Sequence, residues 1–552
     1  MRIDALEHLR DELAAARLVL DLPDAEGARS VRSELVAQID DYLLPRLRQR
    51  DAPLLMVVGG STGAGKSTLV NSLVGAEVSA PGVLRPTTRA PVLACNPADV
   101  SWFESDRILP GLARGSGGAG ARGLELVPTS ALPAGLALLD SPDVDSVADE
   151  NRALAAQLLA AADSWLFVTT AARYADAVPW ELLHAASQRG TALAVVLNRV
   201  PADAGEVAAH LTQMLADRGL GGTELLVVPE TELAAGLLPP AALAPVRTWL
   251  DELAADAQAR TALIERTLAG ALASIPPRVE TVRRAVVAQA AAAGELSADA
   301  DAAYDRALTE VEDTLASGKL LRGEVLARWY EVVGTGDVMR AIEARVSWAR
   351  DRLWSLVMGR PSADSAVKEA VETGIESVVR AAAARAADRA ARTWRERPAG
   401  QQLLAASPRL DDVSPGLHDR LEDEVRAWQG DVFDLVRREG MTKRTTARLA
   451  SLGVNGAGLT VMLAVFVQTG GLTGAEIAVA GGTTAVGQKV LEAIFGDQAV
   501  RELAAKAREN LVERVASVLE TEAARFHELV GPVAPATGAD ERLAAAVAAL
   551  RR

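Results

Sequence analysis

The 552-residue chain carries one cysteine, Cys95, which excludes an internal disulfide framework and a cysteine-rich metal site. It ends the apolar run Val92-Leu-Ala-Cys95 and reads as a buried, inert thiol. Aromatic residues make up only 3% of the sequence and lysine is scarce. Alanine, leucine, arginine and valine dominate instead, a composition that favours long helices. Positive charge is also short: 58 Lys and Arg face 73 Asp and Glu, a net charge of −15. A polyanion would be repelled over most of such a surface, which argues against a general nucleic-acid binder, while local basic stripes stay open to anionic lipid. Nor does a secretory signal open the sequence. Met1-Arg-Ile-Asp-Ala-Leu-Glu-His8 is charged and amphipathic, and a cytosolic chain is expected. At this length two to four domains are expected.

What the chain does contain is concentrated in one stretch. Leu54-Leu-Met-Val-Val58 has the makings of a buried parallel strand, and it ends abruptly in glycines. Gly60-Ser61-Thr62-Gly63-Ala64-Gly65-Lys66-Ser67-Thr68 follows, then a helical pattern through Leu69, Val70, Leu73 and Val74. This is the phosphate-binding P-loop pattern in its strand–loop–helix context. The glycines let backbone N–H groups turn inward around phosphate oxygens, and the helix aims its positive end at the same charge. Lys66 is expected to reach the β- and γ-phosphates and the Ser67 hydroxyl to ligate Mg²⁺. The stretch implies that a nucleoside triphosphate is bound.

Further landmarks follow in order. Residues 1–50 predict two helices broken around Leu22-Pro23-Asp24, with Val31, Leu35, Ile39, Tyr42 and Leu43 making one apolar face. Such helices need a partner surface, expected from the far end of the chain. Residues 81–91, rich in proline, glycine and paired threonines, predict a loop whose threonine could close on the γ-phosphate and Mg²⁺. Residues 114–123, with five glycines, read as a flexible surface loop. Leu136-Ala-Leu-Leu-Asp140 is an apolar strand that places a carboxylate at the sheet's C-terminal edge, beside the P-loop, where it could hold Mg²⁺ directly or through water. Strands at 164–169, 192–197 and 225–228 alternate with helices, one of them around residues 179–189, which specifies a doubly wound, mostly parallel sheet. Asn198-Arg199-Val200-Pro201 lies just past a strand end, where a base-reading loop belongs.

The ordered set of residues 60–67, Arg85-Pro-Thr-Thr-Arg-Ala-Pro91, Asp140-Ser-Pro-Asp143 and Asn198-Arg-Val-Pro201 resembles the large GTPases of the bacterial dynamin-like family. The motifs cover roughly residues 50–235. The resemblance implies that Lys66 and Ser67 bind phosphate and Mg²⁺, that Thr88 is the switch threonine and a Mg²⁺ ligand, that Asp140 is the Mg²⁺-linked aspartate, and that Asn198 and Arg199 contact the base. It also implies GTP as substrate, with self-association through the GTPase domain. Three positions depart from the family pattern. Thr62-Gly63 stands where Gln-Ser is common, which removes a serine thought to position catalytic charge. Asp143 replaces the glycine of Asp-x-x-Gly. Pro201 replaces the aspartate that accepts two hydrogen bonds from guanine; Asp203, two residues on, is the available substitute. A site that lacks this acceptor discriminates less between bases, so ATP or mixed use stays open.

From Pro239-Pro240 onward the pattern is helical. Residues 241–450 show no alternating strand, only Ala/Leu/Arg-rich segments punctuated near Pro276-Pro277, residues 334–336, Pro361 and residues 398–400, which predicts an elongated bundle or stalk. Arg380, Arg385, Arg389, Arg392, Arg395 and Arg397 crowd one segment; acidic partners elsewhere in the bundle or an anionic lipid would both suit them. Residues 449–468 then run without a charge, residues 469–474 make a turn, and a glycine-rich apolar arm follows after Glu476. As a helix the first arm is about 30 Å long, enough to cross a hydrocarbon core. Basic residues flank both outer ends, as expected where those ends face the cytoplasm. A membrane hairpin, a tip that dips reversibly into lipid, and a buried soluble core are the three readings. Either membrane reading matches the lipid-binding paddle of the family that the motifs resemble.

The expected architecture is therefore an α/β P-loop NTPase domain plus an all-α helical stalk with a hydrophobic helical hairpin. Its parts are N-terminal helices packing on the stalk (1–50), the GTPase domain (51–238), the stalk (239–448), the membrane hairpin (449–488), a return helix (489–535) and a C-terminal tail (536–552). Two functions fit: a GTP-hydrolysing mechanoenzyme at the cytoplasmic face of the cell membrane, and a membrane-anchored non-mechanical switch that recruits partner proteins. A transporter ATPase fits less well, since there is no Leu-Ser-Gly-Gly-Gln signature and the hydrophobic part is too small for a pathway.

Overall fold

A computed structural model of the chain describes residues 2–79, 91–104, 108–109, 112–115, 123–142, 149–176, 180, 183–184, 186–187, 191–202, 204–316, 361–439, 465 and 498–551. These residues divide into two compact units, one of residues 1–18, 23–287 and 535–552, the other of residues 19–22 and 288–534.

The first unit is built on an eight-stranded sheet: β1 (Leu54–Gly60), β2 (Val92–Cys95), β3 (Ala113–Gly115), β4 (Gly123–Pro128), β5 (Leu136–Asp140), β6 (Ser164–Thr170), β7 (Ala192–Val200) and β8 (Glu224–Pro229), in the order β3-β4-β2-β5-β1-β6-β7-β8. Every neighbouring pair is parallel except β2 with β5. The sheet is therefore mostly parallel, as its alternating apolar runs predict. Alternation along β1 sends successive side chains to opposite faces. Leu54, Met56 and Val58 pack with Leu69, Val70 and Leu73 of the helix Lys66–Val74 and with Val246 and Leu250 of the helix Pro240–Ala255. Leu55 and Val57 face the other way, into a core with Phe103, Leu158, Leu159 and Trp165. β1 is thus covered on both faces, and only its C-terminal end opens outward, between β5 and β6.

Two elements differ from the sequence expectation. Residues 114–123 read as a flexible loop, yet Arg114 and Gly115 belong to β3 and Gly123 opens β4. The Arg114 guanidinium holds the carbonyls of Phe103 at 2.8 Å, Leu109 at 3.1 Å and Leu112 at 2.7 Å, and so ties the strand down despite its glycine neighbours. Pro276-Pro277 was expected to punctuate a helix, but the helix Ala257–Ala316 runs through both prolines. The N–H groups lost there cost helix stability. Burial of Ile275, Val279 and Val282 on either side offsets that cost.

These three residues share a core with Leu6, Leu9 and Leu13 of the helix Arg2–Ala15, with Leu35 of the helix Ala25–Gln38, and with Leu543 and Ala546 of the helix Ala539–Leu550. The two ends of the chain therefore meet in one cluster of the first unit. A turn of π-helix at Ile39–Leu43 and the helix Leu44–Arg48 then lead into the sheet.

The second unit is helical. Residues 288–316, the helices Pro361–Arg395, Pro398–Ala406, Leu417–Glu439 and Gln498–Val530 enclose a core in which Trp394, Trp428 and Phe526 are wholly buried. Ala382, Ala383, Ala386 and Ala390 line the same core, small side chains that let helices approach closely. The few aromatics sit where size matters: Phe526 meets Trp394 edge-on at 5.1 Å, and each buried indole donates to a backbone carbonyl, Trp394 to Leu296 and Trp428 to Ala507. The arginine-rich segment finds acidic partners, with Arg385 and Arg389 on Glu310, Arg392 on Asp388, Arg395 on Asp411, and Arg397 on Asp299 and Glu295. The hydrophobic stretch 449–488 lies outside the described residues apart from Val465, which is buried in this core. Among the described residues, no helix is long and apolar enough to cross a membrane.

Candidate functional site: the phosphate loop

The loop follows β1 at the open end of the sheet. Gly60 has φ +146°, and a Cβ there would stand 2.1 Å from the Val168 carbonyl oxygen of the neighbouring strand, so only glycine fits. Gly65 has φ +93°, and a Cβ there would meet the Asn198 amide nitrogen at 2.5 Å. The loop is pinched between β6 and β7, and its glycines make room for the pinch.

Lys66, the first residue of its helix, is 5% exposed and folds back over the loop. Its Nζ donates to the carbonyls of Gly60 at 2.8 Å and Ser61 at 3.0 Å. The cation therefore lies inside the ring of backbone that the spacing predicts for phosphate. Ser67 and Asp140 are brought together as expected. The Ser67 hydroxyl donates to Asp140 Oδ2 at 2.8 Å, and the carboxylate is wholly buried at the last position of β5. Register accounts for this: Asp140 pairs with Val58, two residues before Gly60.

Two residues that the sequence reading missed complete the arrangement. The Ser79 hydroxyl also donates to Asp140 Oδ2, at 2.6 Å. Asn71 sets Ser79 in place, since its Oδ1 accepts from the N–H groups of Val78 and Ser79 and its Nδ2 donates to the Ser79 carbonyl at 2.7 Å. Neither belongs to a recognisable motif. A buried asparagine on the apolar helix that follows the loop was the available signal.

Asn198 is 4% exposed, and its Nδ2 donates to the Ala64 carbonyl at 2.8 Å, so the expected base-contacting residue also braces the loop. Its Oδ1 accepts from the N–H of Arg199, whose backbone takes φ +54° and whose side chain is exposed. Arg173, also missed, reaches the loop from the turn after β6 and donates to the Thr62 carbonyl at 2.8 Å. Thr88, Asp143 and Asp203 lie outside the described residues, as do Arg85 and Arg89. Ser61, Ala64, Gly65, Lys66, Ser67, Asp140 and Asn198 thus come together at one end of the sheet, where Gly63 is exposed and Thr62 and Thr68 are half-buried. Serine and carboxylate oxygens are the hard donors that Mg²⁺ takes, and Mg²⁺ completes its shell with water and phosphate oxygens.

A mostly parallel sheet with a P-loop at the C-terminal end of its central strand, joined in sequence to a helical unit, defines an α/β NTPase with a helical body. No protein-family model and no curated protein matches the sequence. Solved structures do. A chain from an oligomerised bacterial dynamin pair, described as providing a mechanism for the long-range sensing and tethering of membranes, is 10% identical with a TM-score of 0.39, covering 100% of this chain and 95% of that one. A second chain under the same description is 10% identical, with a TM-score of 0.33 and 95% of each chain covered. LeoA, a bacterial dynamin GTPase from ETEC, is 12% identical with a TM-score of 0.24, over 96% of this chain and 97% of its own. The chain is similar to bacterial dynamin-like GTPases over nearly its whole length.

Proposed function

We propose that this chain is a dynamin-like, Mg²⁺-dependent nucleotide hydrolase that acts on GTP at the cytoplasmic face of the cell membrane, held there through residues 449–488. The observation that carries the nucleotide reading is the convergence of Lys66, Ser67 and Asp140 at the open end of β1. In hydrolysis a water attacks the γ-phosphorus, the bond to the bridging oxygen breaks, and charge spreads over the transferring phosphoryl oxygens. Lys66, the loop N–H groups and the helix N-terminus meet that charge with donors already in place. Ser67 and Asp140 are the residues that would hold Mg²⁺, with Thr88 as the third expected from the motif. The metal, when bound, neutralises the β- and γ-phosphate oxygens. Membrane lipid and further copies of the GTPase domain are the proposed partners; nucleic acid is not among them, given the net charge of −15.

One observation favours a second reading of the nucleotide, ATP or mixed use. Pro201 offers no side-chain acceptor to a guanine, and the Asn198 amide is engaged on the loop. Side-by-side titrations of GTP and ATP with Mg²⁺ decide between the bases: GTP is expected to bind more tightly, and equal affinities would sink the GTP assignment. Lys66→Ala is expected to lower hydrolysis by about 100-fold or more with the fold intact. Unchanged turnover in that variant would contradict the site itself.

A further inference from the structure

We propose that Arg173 aims the backbone N–H of Gly63 at the triphosphate, and so acts as a positioning residue for hydrolysis; the inference rests on the phosphate site proposed above. Arg173 lies in the turn that closes β6, where the N–H groups of Arg173 and Tyr174 both donate to the Thr170 carbonyl at 3.0 Å. That turn carries the guanidinium back to the phosphate loop. Its Nη1 donates to the Thr62 carbonyl at 2.8 Å, while its Nε donates to Asp176 Oδ2 at 3.0 Å. The Asp176 carboxylate thereby orients the rigid guanidinium plane, and the other edge of that plane takes the loop.

The consequence follows from peptide geometry. The unit joining Thr62 to Gly63 is planar and trans, so its C=O and N–H point in opposite directions. An oxygen held on Arg173 turns the Gly63 N–H to the far side. The Gly63 peptide depends on this grip. Its φ is +76°, open space surrounds the place a Cβ would occupy, and glycine brings no side chain to pack. At the position where the resembled family often places a serine, this chain fixes the backbone from β6 instead.

A hydrogen bond weakens steeply as its donor swings out of line, and a preorganised donor aimed at developing charge is worth far more in the transition state than in the ground state. Arg173→Ala is therefore expected to lower kcat by roughly 10- to 100-fold with KM changed by less than about threefold. Arg173→Gln keeps a neutral N–H donor and is expected to recover most of kcat. Equal losses in the two variants would overturn the proposal, since charge acting directly on phosphate would then be the role; so would an unchanged kcat in Arg173→Ala. The side chain is 41% exposed, so the fold is expected to survive both substitutions. Amide hydrogen exchange over residues 60–66 of the nucleotide-free protein supplies a readout without turnover. Exchange is expected to quicken in Arg173→Ala and return in Arg173→Gln; unchanged exchange in Arg173→Ala overturns the proposal. A wild-type chain that hydrolyses neither nucleotide would defeat the functional reading instead, and the exchange data would still decide the role of Arg173.

Discussion

Cys95 ends β2 wholly buried, in the core it shares with Leu93, Phe103 and Leu124. Burial pushes its thiol up to about 12 from an ordinary 9.0, with the Asp99 carboxylate adding to the shift. A thiol held that high is protonated at neutral pH and is no nucleophile. The folded pKa lies above the unfolded one, so the thiol's contribution to stability is complete below 9.0 and is lost as pH rises toward about 12. Native protein is expected to resist thiol reagents at neutral pH, and the labelling rate is expected to match the unfolding rate; rapid labelling of the folded chain would contradict the burial. At this scale the sequence was legible where spacing alone carries the chemistry. Residues 60–67 and Asp140 could be placed because a strand, a loop and a helix in series leave little freedom to their positions. Ser79 and Arg173 were not legible, because each acts through a hydrogen bond whose partner lies on another element, and Asn71 acts through Ser79. Arg173 and Thr62 are 111 residues apart, and nothing in either neighbourhood announces the other.

At the scale of elements, the end of the sheet opposite the phosphate loop is held by a buried ion pair. The Arg46 guanidinium meets Asp163 Oδ2 and also donates to the carbonyls of Ala52 at 2.9 Å and Pro53 at 3.1 Å. Asp163 accepts from the Leu55 N–H at 2.8 Å, its own N–H donates to the Leu55 carbonyl, and its carbonyl accepts from Thr267. One aspartate thus joins the helix Leu44–Arg48, β1, β6 and the helix Ala257–Ala316, and it sets the register that brings Gly60 beside Val168. Removing one member strands the other charge in an apolar setting. Asp163→Ala is expected to cost about 3–5 kcal/mol, read from urea unfolding, whereas Arg46→Met with Asp163→Leu is expected to recover most of that. If the double variant is no more stable than the single one, the loss comes from the backbone bonds to Leu55 and not from the unpaired guanidinium. The apolar runs of β1, β5, β6 and β7 were plain in the sequence because both faces of a parallel sheet are covered. β3 and β4 were hidden by their glycines, and the helix across Pro276-Pro277 was hidden because local proline signals carry no information about the core packed on either side.

For the whole molecule, the proposed membrane role raises the question of which surface would meet lipid. The arginine-rich segment is a weak candidate, since Arg385, Arg389, Arg395 and Arg397 are engaged by carboxylates of the same unit and would have to exchange them for lipid phosphate. Exposed pairs of this kind contribute little stability. Their effect on lipid is to cancel charge, on a chain that is already negative. The hydrophobic stretch 449–488 remains, with Glu476 as its one charged residue, and the phosphate site belongs to a unit that does not include it. Nucleotide turnover and lipid binding should therefore separate by mutation. Deleting 449–488 is expected to abolish co-flotation with anionic liposomes while leaving basal GTP hydrolysis in place. Val465 is buried in the helical core, so the deletion could act by unfolding that unit. Leu459→Asp, at the middle of the arm 449–468, avoids the difficulty. A carboxylate at the middle of an inserted helix costs about 2.5–3.5 kcal/mol, so partitioning is expected to fall roughly 100-fold with helicity unchanged. Liposome binding by a well-folded Leu459→Asp protein at the wild-type level would show that another surface holds the membrane.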